Sequence, residues 1–164
     1  MKSIFTTMLL LSFGMMVNAQ EKAVDYKELQ KSIPSTIMGY QLVDEIEGSS
    51  FEMSGMSYST ASARYEKADS QLDIAIMDYQ GAAALYTSAS MAWSSGMKYE
   101  DDDQKAYGVT YDNAQGWLVY EKNDKVSELV VGFNERYIIT VVVTDASENF
   151  AEEVYKQLNL NNLP

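Results

Sequence analysis

Four carboxylates on or beside predicted strands have the residue types that catalysis would need. Two Asp or Glu side chains can hydrolyse a glycosidic bond, one protonating the leaving oxygen and the other acting as nucleophile or base. The four are Asp73, Asp78, Glu121 and Glu128. Because the sequence sets no separation between any two of them, a carboxylate-dependent hydrolase acting on glycans remains an alternative, and we assign no catalytic residue.

The chain contains no histidine and no cysteine. This composition excludes Ser-His-Asp and Cys-His catalysis, the usual zinc sites, histidine pH sensing and a disulfide framework. No motif surrounds any Ser or Lys, so a Ser-Lys nucleophile has no support. We expect no cofactor and no metal site, and the ligand-binding residues stay unassigned.

An acidic run at residues 100–103, with Asp112 and Asn113, offers oxygen ligands that Ca²⁺ prefers. Its spacing does not match an EF-hand loop, because no alternating Asp-x-Asp-x-Asp-Gly run exists. We therefore favour a solvated loop over a Ca-binding accessory role.

Four methionines, Met53, Met56, Met91 and Met97, could present thioethers to Cu(I). Copper-handling runs are denser and usually include His or Cys, so the pattern favours core filling by an adaptable side chain.

Aromatic residues are abundant, with 12 Tyr and 2 Trp. Tyr is favoured at recognition surfaces, but it is also a good strand former that tolerates half-burial, and both interpretations stay open. The tyrosines on or beside predicted strands are Tyr58, Tyr65, Tyr79, Tyr99, Tyr107, Tyr111 and Tyr120.

Residues 1–19 have the pattern of a secretory signal peptide. Lys2 precedes an apolar stretch too short to span a bilayer, and Ala19 follows a site that a signal peptidase reads. Residues 20–164 are then predicted to form one exported domain, periplasmic or secreted. The net charge of −12 would repel nucleic acid and anionic membranes.

The elements that must position these side chains centre on residues 116–144, where three strand-like segments alternate with two polar breaks. This pattern predicts an antiparallel meander. A two-residue loop at Asn134 and Glu135 would pair Phe133 with Arg136, although Glu disfavours positive φ, which leaves a three- or four-residue loop open. That register predicts one apolar face, interrupted by Glu128 and Gly132, made of Val126, Val130, Tyr137, Ile139, Val141 and Val143. Glu128 would either pair with a basic residue there or indicate a register shifted by one.

Helical spacing is strongest over residues 81–97, where small residues recur every three or four positions. A second helix is predicted over residues 145–158, opened by a capping box of Asp145 and Glu148. A helix-compatible segment at residues 20–32 ends before Pro34. Further strands are predicted at residues 40–45, 56–66, 72–79 and 106–111. The predicted fold is a single α+β domain with a six- or seven-stranded, mostly antiparallel sheet packed by the two main helices.

Several short motifs resemble a family of small exported bacterial proteins of uncharacterised function. They are Ile33-Pro34 before Gly39-Tyr40, Ala63-Arg64-Tyr65 before a strand that ends in Asp78, Gly116-Trp117-Leu118-Val119, and Asn134-Glu135-Arg136-Tyr137-Ile138. The element order is also similar to that of PsbP-like α/β/α sandwiches. The resemblance implies an architecture and no functional residue.

These observations together favour a non-catalytic binding or interaction module of the bacterial envelope. Its expected partner is a protein or a glycan, and no integral membrane segment is expected once the signal peptide is cleaved.

Overall fold

The computed structural model describes residues 21–91, 93 and 96–164. The signal peptide predicted at residues 1–19 lies outside the described residues.

One antiparallel sheet of ten strands dominates the described part of the chain, as the sequence predicts for its sheet type. The spatial order is β1-β2-β4-β5-β10-β9-β8-β7-β6, and β3 also pairs with β4. The strands are β1 Thr36–Ile37, β2 Tyr40–Leu42, β3 Glu47–Met53, β4 Met56–Lys67, β5 Ser70–Gly81, β6 Lys98–Glu100, β7 Gln104–Tyr111, β8 Ala114–Glu121, β9 Val126–Phe133 and β10 Tyr137–Val143.

Three small helices accompany the sheet: α1 Tyr26–Gln30, α2 Ala83–Ser90 and α3 Phe150–Gln157, with a 3₁₀ turn at Leu160–Asn162. The prediction of an α+β domain with six or seven strands packed by two main helices is therefore wrong, since the described protein is mostly β. The segment Glu47–Met53, which contains Gly48, Ser49 and Ser50 and lies outside the predicted strands, forms β3. It pairs along the outer edge of the twelve-residue β4, which supplies its backbone hydrogen bonds.

Both predicted main helices are shorter than expected. Gly81 ends β5, so α2 begins only at Ala83 and stops at Ser90. The capping box is also wrong, because Asp145 lies at a φ of 48° and Asn149 precedes α3. Glu148 forms an ion pair with Lys105 at 2.7 Å instead of capping the helix. The ion pair with Lys105, a residue distant in the sequence, thus takes the place of the capping bond that the local Asp145–Glu148 motif predicted.

The core lies on one face of the sheet, beneath α1 and α3. Leu29 of α1 and Val154 of α3 are completely buried against it. The buried strand residues of this face include Ala61, Ala63, Tyr65, Leu72, Ile74, Ile76, Leu118, Leu129, Val131, Ile139, Val141 and Val143. We call this side the core face and the opposite side the second face.

The β9–β10 hairpin has a register one residue away from the two-residue prediction. Phe133 pairs with Tyr137, so Asn134, Glu135 and Arg136 form a three-residue connection. Asn134 and Glu135 both take positive φ, 52° and 54°. Arg136 stays out of the strand pairing, and its side chain bonds Asp78 of the neighbouring β5.

The shifted register corrects half of the predicted apolar face. On β10, Tyr137, Ile139, Val141 and Val143 are buried in the core as predicted. On β9, however, Leu129 and Val131 are the core residues, whereas Val126, Glu128, Val130 and Gly132 belong to the second face. Side chains alternate along a strand, so a one-residue shift turns every β9 side chain over.

Of the helices that the structure describes, α2 lies on the second face. A Cβ on Gly132 would stand 2.5 Å from Trp93 Cζ3 and 2.5 Å from the Tyr86 hydroxyl oxygen, so these rings pack directly on that glycine. Elsewhere on this face Trp117, Val130, Thr140 and Val142 are half-buried. None of the described helices has the length or apolar character needed to cross a bilayer.

Candidate functional site

Asp78 is a structural carboxylate. It is completely buried, and Arg136 bonds it with Nε to Oδ1 at 2.8 Å and Nη2 to Oδ2 at 2.7 Å. The backbone N–H groups of Gln80 and Val24 each donate a further bond of 2.9 Å. This pairing raises the pKa of Arg136. With two donors on each oxygen, Asp78 has no free position for a substrate proton.

The other three candidate carboxylates do not form a catalytic pair. Asp73 is bound by Arg64 Nε at 2.9 Å and Gln71 Nε2 at 2.5 Å. Glu128 is half-buried on the same face, and both residues pair with Val142 from opposite sides, which places them two strands or roughly 10 Å apart. The depression of about 330 Å³ beside Asp73 is not lined by Glu128. Glu121 is exposed at the end of β8.

The acidic loop at residues 100–103 forms the β6–β7 turn, and its carboxylates accept bonds from the protein itself. Asp101 Oδ1 accepts from the N–H groups of Asp103 at 2.9 Å and Gln104 at 2.7 Å. The Tyr99 hydroxyl donates to the other oxygen, and this bond is the main reason that the pKa of Asp101 is lowered. Lys122 forms an ion pair with Glu100 at 3.1 Å.

Asp112 and Asn113 lie in the β7–β8 turn, at the opposite end of the eight-residue β7 from this loop. That length separates the two groups by about 25 Å, so they cannot share an ion. Among the described residues, no group of three or more carboxylates is placed to hold a metal.

The methionines do not gather and do not fill the core. Met53 and Met56 are paired at the β3–β4 turn, whereas Met91 follows α2 and Met97 precedes β6. Met53, Met91 and Met97 are all exposed. The prediction that these methionines fill the core is therefore wrong for Met53, Met91 and Met97.

The seven strand tyrosines divide between the faces. Four support the core side: the Tyr65 hydroxyl donates to Pro34 O at 2.6 Å, Tyr107 to Glu148 at 3.1 Å and Tyr120 to Ala146 O at 3.3 Å, and the Tyr111 ring lies 5.0 Å from that of Tyr155. The other three lie away from the core: Tyr58 and Tyr79 continue a row of rings from Phe51 across β3, β4 and β5, and Tyr99 is exposed on β6. The structural interpretation thus holds for four of the seven tyrosines, and recognition by the other three stays a prediction.

A cavity of about 940 Å³ lies between α2 and the ends of the β7–β8 and β9–β10 hairpins. We call it the α2 groove. The two hairpin ends are joined by a 3.1 Å bond from Asn134 N to Asn113 O, which fixes one wall. Its lining residues are Ala83, Tyr86, Thr87, Ser90, Met91, Trp93, Thr110, Tyr111, Asp112, Asn113, Ala114, Gln115, Gly132, Asn134 and Glu135.

The lining combines ring surfaces with hydrogen-bonding groups and contains no Lys or Arg. Tyr86 and Trp93 are half-buried, so part of each ring is accessible from the groove. Burial raises the pKa of Tyr86, and the negative charge of Glu135, which lines the same cavity, raises it further. Hydroxyls and amides from Thr87, Asn113 and Gln115 supply donors and acceptors. Such a mixture suits noncovalent recognition.

The sequence did not identify this groove. The sequence patterns place Asn134 and Glu135 in a turn and Asp112 and Asn113 beside the acidic run, and they assign no role to Trp93. One signal was present: Gly132 and Gly108 interrupt otherwise apolar strands, and Gly in a strand often marks close approach by another group. Here Trp93 approaches both, since its backbone oxygen would lie 3.5 Å from a Cβ on Gly108.

The chain matches no protein-family model and no curated protein. The resemblance to small exported bacterial proteins therefore stays a prediction.

Proposed function

We propose that this protein is an exported, non-catalytic binding module of the bacterial envelope and that it holds its partner in the α2 groove. The observation that carries the proposal is the composition of this groove: accessible Tyr86 and Trp93 rings beside amides and hydroxyls, in a cavity of about 940 Å³. Rigid amphipathic rings are the side chains that most often carry binding energy.

The positions of the carboxylates support binding over hydrolysis. Asp78 is saturated by four donors, and Asp73 and Glu128 are not joined by a cavity. In the groove the two carboxylates, Asp112 and Glu135, are both exposed on hairpin turns. A glycosidase needs a free carboxylic acid close to a second carboxylate across the scissile bond, and Asp78, whose acceptor positions are all occupied, is unsuited to that role.

The expected location and partner class come from the sequence. The signal-peptide pattern of residues 1–19 supports export, and the net charge of −12 argues against a nucleic-acid partner. A protein or a glycan of the envelope is the partner class that fits both features.

The test compares ring and carboxylate variants. Tyr86→Ala and Trp93→Ala should abolish capture of the native partner from envelope extracts, whereas Tyr99→Ala, a ring exposed on β6, should leave it unchanged. Asp73→Asn and Glu128→Gln should leave capture intact. Turnover of a glycan by the wild type that disappears in one carboxylate variant would instead establish the hydrolase.

A further inference from the structure

Building on the proposed function, we propose that the α2 groove recognises a basic segment of a partner polypeptide, with Lys or Arg side chains placed between the Tyr86 and Trp93 rings and the carboxylates of Asp112 and Glu135. The proposal names the ligand chemistry, which groove binding alone leaves open.

Charge is the first argument. None of the lining residues is basic, and Asp112 and Glu135 are its two charged groups. Neither carboxylate makes a hydrogen bond or ion pair with another described side chain. Both therefore keep their full capacity to accept bonds from an incoming ammonium or guanidinium group. An anionic ligand would meet two negative charges and no positive one.

The aromatic rings give the second argument. A cation held over the face of Trp or Tyr is attracted by the ring quadrupole, and the attraction grows when water is excluded. The Tyr86 and Trp93 rings line the same cavity as the carboxylates of Asp112 and Glu135, so ring faces and negative charges are presented to one ligand. This combination recognises organic cations better than neutral or acidic groups.

The third argument is the backbone of Glu135. It lies at a φ of 54°, a left-handed conformation that Gly adopts without strain and that is strained for Glu. Asn134 beside it also has positive φ, but Asn tolerates this region. A charged side chain kept at a strained position on the rim of a cavity indicates a binding role.

The size of the groove selects the source of the cation. A volume of about 940 Å³ is far larger than one ammonium group and lies at the upper end for small-ligand sites. A polypeptide segment of several residues fills such a space, and the two carboxylates on separate hairpin turns can each receive a different basic side chain.

The experiment measures binding of an acetylated, amidated Lys-Gly repeat hexapeptide by calorimetry. Matched Glu-Gly and Ser-Gly hexapeptides and the neutral glycan cellohexaose serve as comparison probes. The test variant is Asp112→Asn with Glu135→Gln. The control is Asp69→Asn with Asp124→Asn, which removes the same charge from exposed positions on two other hairpin turns.

The basic peptide should bind the wild type and the control alike, and the groove variant should bind it roughly tenfold or more weakly. Glu135→Gly should also lose affinity while its melting temperature holds or rises, because Gly relieves the strained φ. Affinity should fall as salt rises.

Equal losses of affinity for the basic peptide in the groove and control variants would show that the peptide is attracted to the acidic surface as a whole. That result would overturn the proposal. So would failure of the wild type to bind the basic peptide. Binding of cellohexaose that is lost in Tyr86→Ala, without peptide binding, would retain the binding module and reject its cationic ligand. If neither probe binds and partner capture survives Tyr86→Ala, the groove itself is excluded.

Discussion

At the residue scale, Asp78 is the clearest case of a polar group whose role the structure redefines. A buried charge is tolerated only when it is fully bonded, and here Arg136, Val24 and Gln80 together supply four donors. The sequence indicated a carboxylate at the end of a strand but could not show these partners, because Val24 and Arg136 are distant in the chain.

Asp78→Asn should destabilise the protein by roughly 3–5 kcal/mol, since it removes a completely buried, fully bonded charge and leaves the half-buried Arg136 guanidinium without its counter-ion. Asp73→Asn breaks the exposed ion pair with Arg64 and should change the free energy of unfolding by less than about 1 kcal/mol. Urea denaturation of both variants gives the comparison. Equal losses would contradict the structural role assigned to Asp78.

At the scale of elements, the β9–β10 hairpin shows how one turn controls two strands. The meander and the buried side of β10 were predictable from the alternation of apolar residues. The β9 facing was not, because it depended on whether Arg136 belonged to the strand or to the turn. A contact with Asp78, outside the hairpin, decides this.

Val141→Asp should destabilise strongly, by about 4 kcal/mol or more, because it places an unpaired charge at a completely buried position. Thr140→Asp changes the next residue along β10, which is half-buried on the second face, and should be milder. The two denaturation midpoints test the facing of β10. A larger loss for Thr140→Asp would mean that the face is inverted.

Helix α2 is held mainly through Tyr86 and Trp93, since it has no buried residue of its own and no side-chain cap. Gly132→Ala should displace these rings while changing the global unfolding free energy by about 1 kcal/mol or less. In a Trp117→Phe background, where Trp93 is the remaining tryptophan, Gly132→Ala should shift the fluorescence emission of Trp93 to the red.

The matched control is Gly116→Ala, whose new Cβ would stand 2.3 Å from the backbone oxygen of Val130. Backbone cannot move aside as side chains do, so this variant should lose more stability than Gly132→Ala. A larger loss in Gly132→Ala would show that the rings over Gly132 cannot move aside, and unchanged Trp93 emission in that variant would show that Trp93 is not seated on Gly132.

The acidic loop gives an element-scale prediction about calcium. Because the carboxylates of Asp101 and Asp103 already accept bonds from the protein, millimolar Ca²⁺ should not raise the melting temperature beyond NaCl of equal ionic strength. Differential scanning fluorimetry makes the comparison. A calcium-specific rise that Asp101→Asn with Asp103→Asn removes would establish a site.

At the scale of the whole molecule, the sequence was sufficient for the antiparallel sheet and insufficient for its size. Periodicity identified strands with strong alternation, such as β5 and β10. It missed β3, whose Gly and Ser residues have low strand propensity and which depends on pairing with β4. The small-residue stripe of residues 81–97 looked helical, but pairing with β4 extends β5 up to Gly81. The α2 groove lies between α2 and two hairpin ends that are distant from α2 in the sequence, so local patterns could not reveal it.

The buried tyrosines predict an alkaline limit to stability. Burial raises the pKa of Tyr65, Tyr137 and Tyr155 to about 12. In the unfolded chain they ionise near 10, so above that pH the unfolded state binds fewer protons than the native state. Their contribution is therefore complete below about pH 10 and falls as the pH rises towards 12.

Urea unfolding across this range, with absorbance at 295 nm to follow tyrosinate, should show the two events together. Tyr65→Phe should flatten the decline while losing the bond to Pro34 at all pH values. A wild-type stability that stays constant from pH 10 to 12 would contradict the assignment.

The strand order has a consequence for how the chain reaches its folded state. Strands β1 to β5 form one half of the sheet and β6 to β10 the other, and the halves meet only where β5 pairs with β10. During synthesis from the N-terminus, the free edge of β5 and its apolar residues, Leu72, Ile74 and Ile76, stay open until the last strand exists. Asp78 likewise lacks its ion-pair partner until Arg136 has been synthesised. The first half of the sheet is thus an incomplete intermediate with an unpaired, apolar strand edge. A nascent chain stalled before residue 136 will be prone to aggregate through that edge.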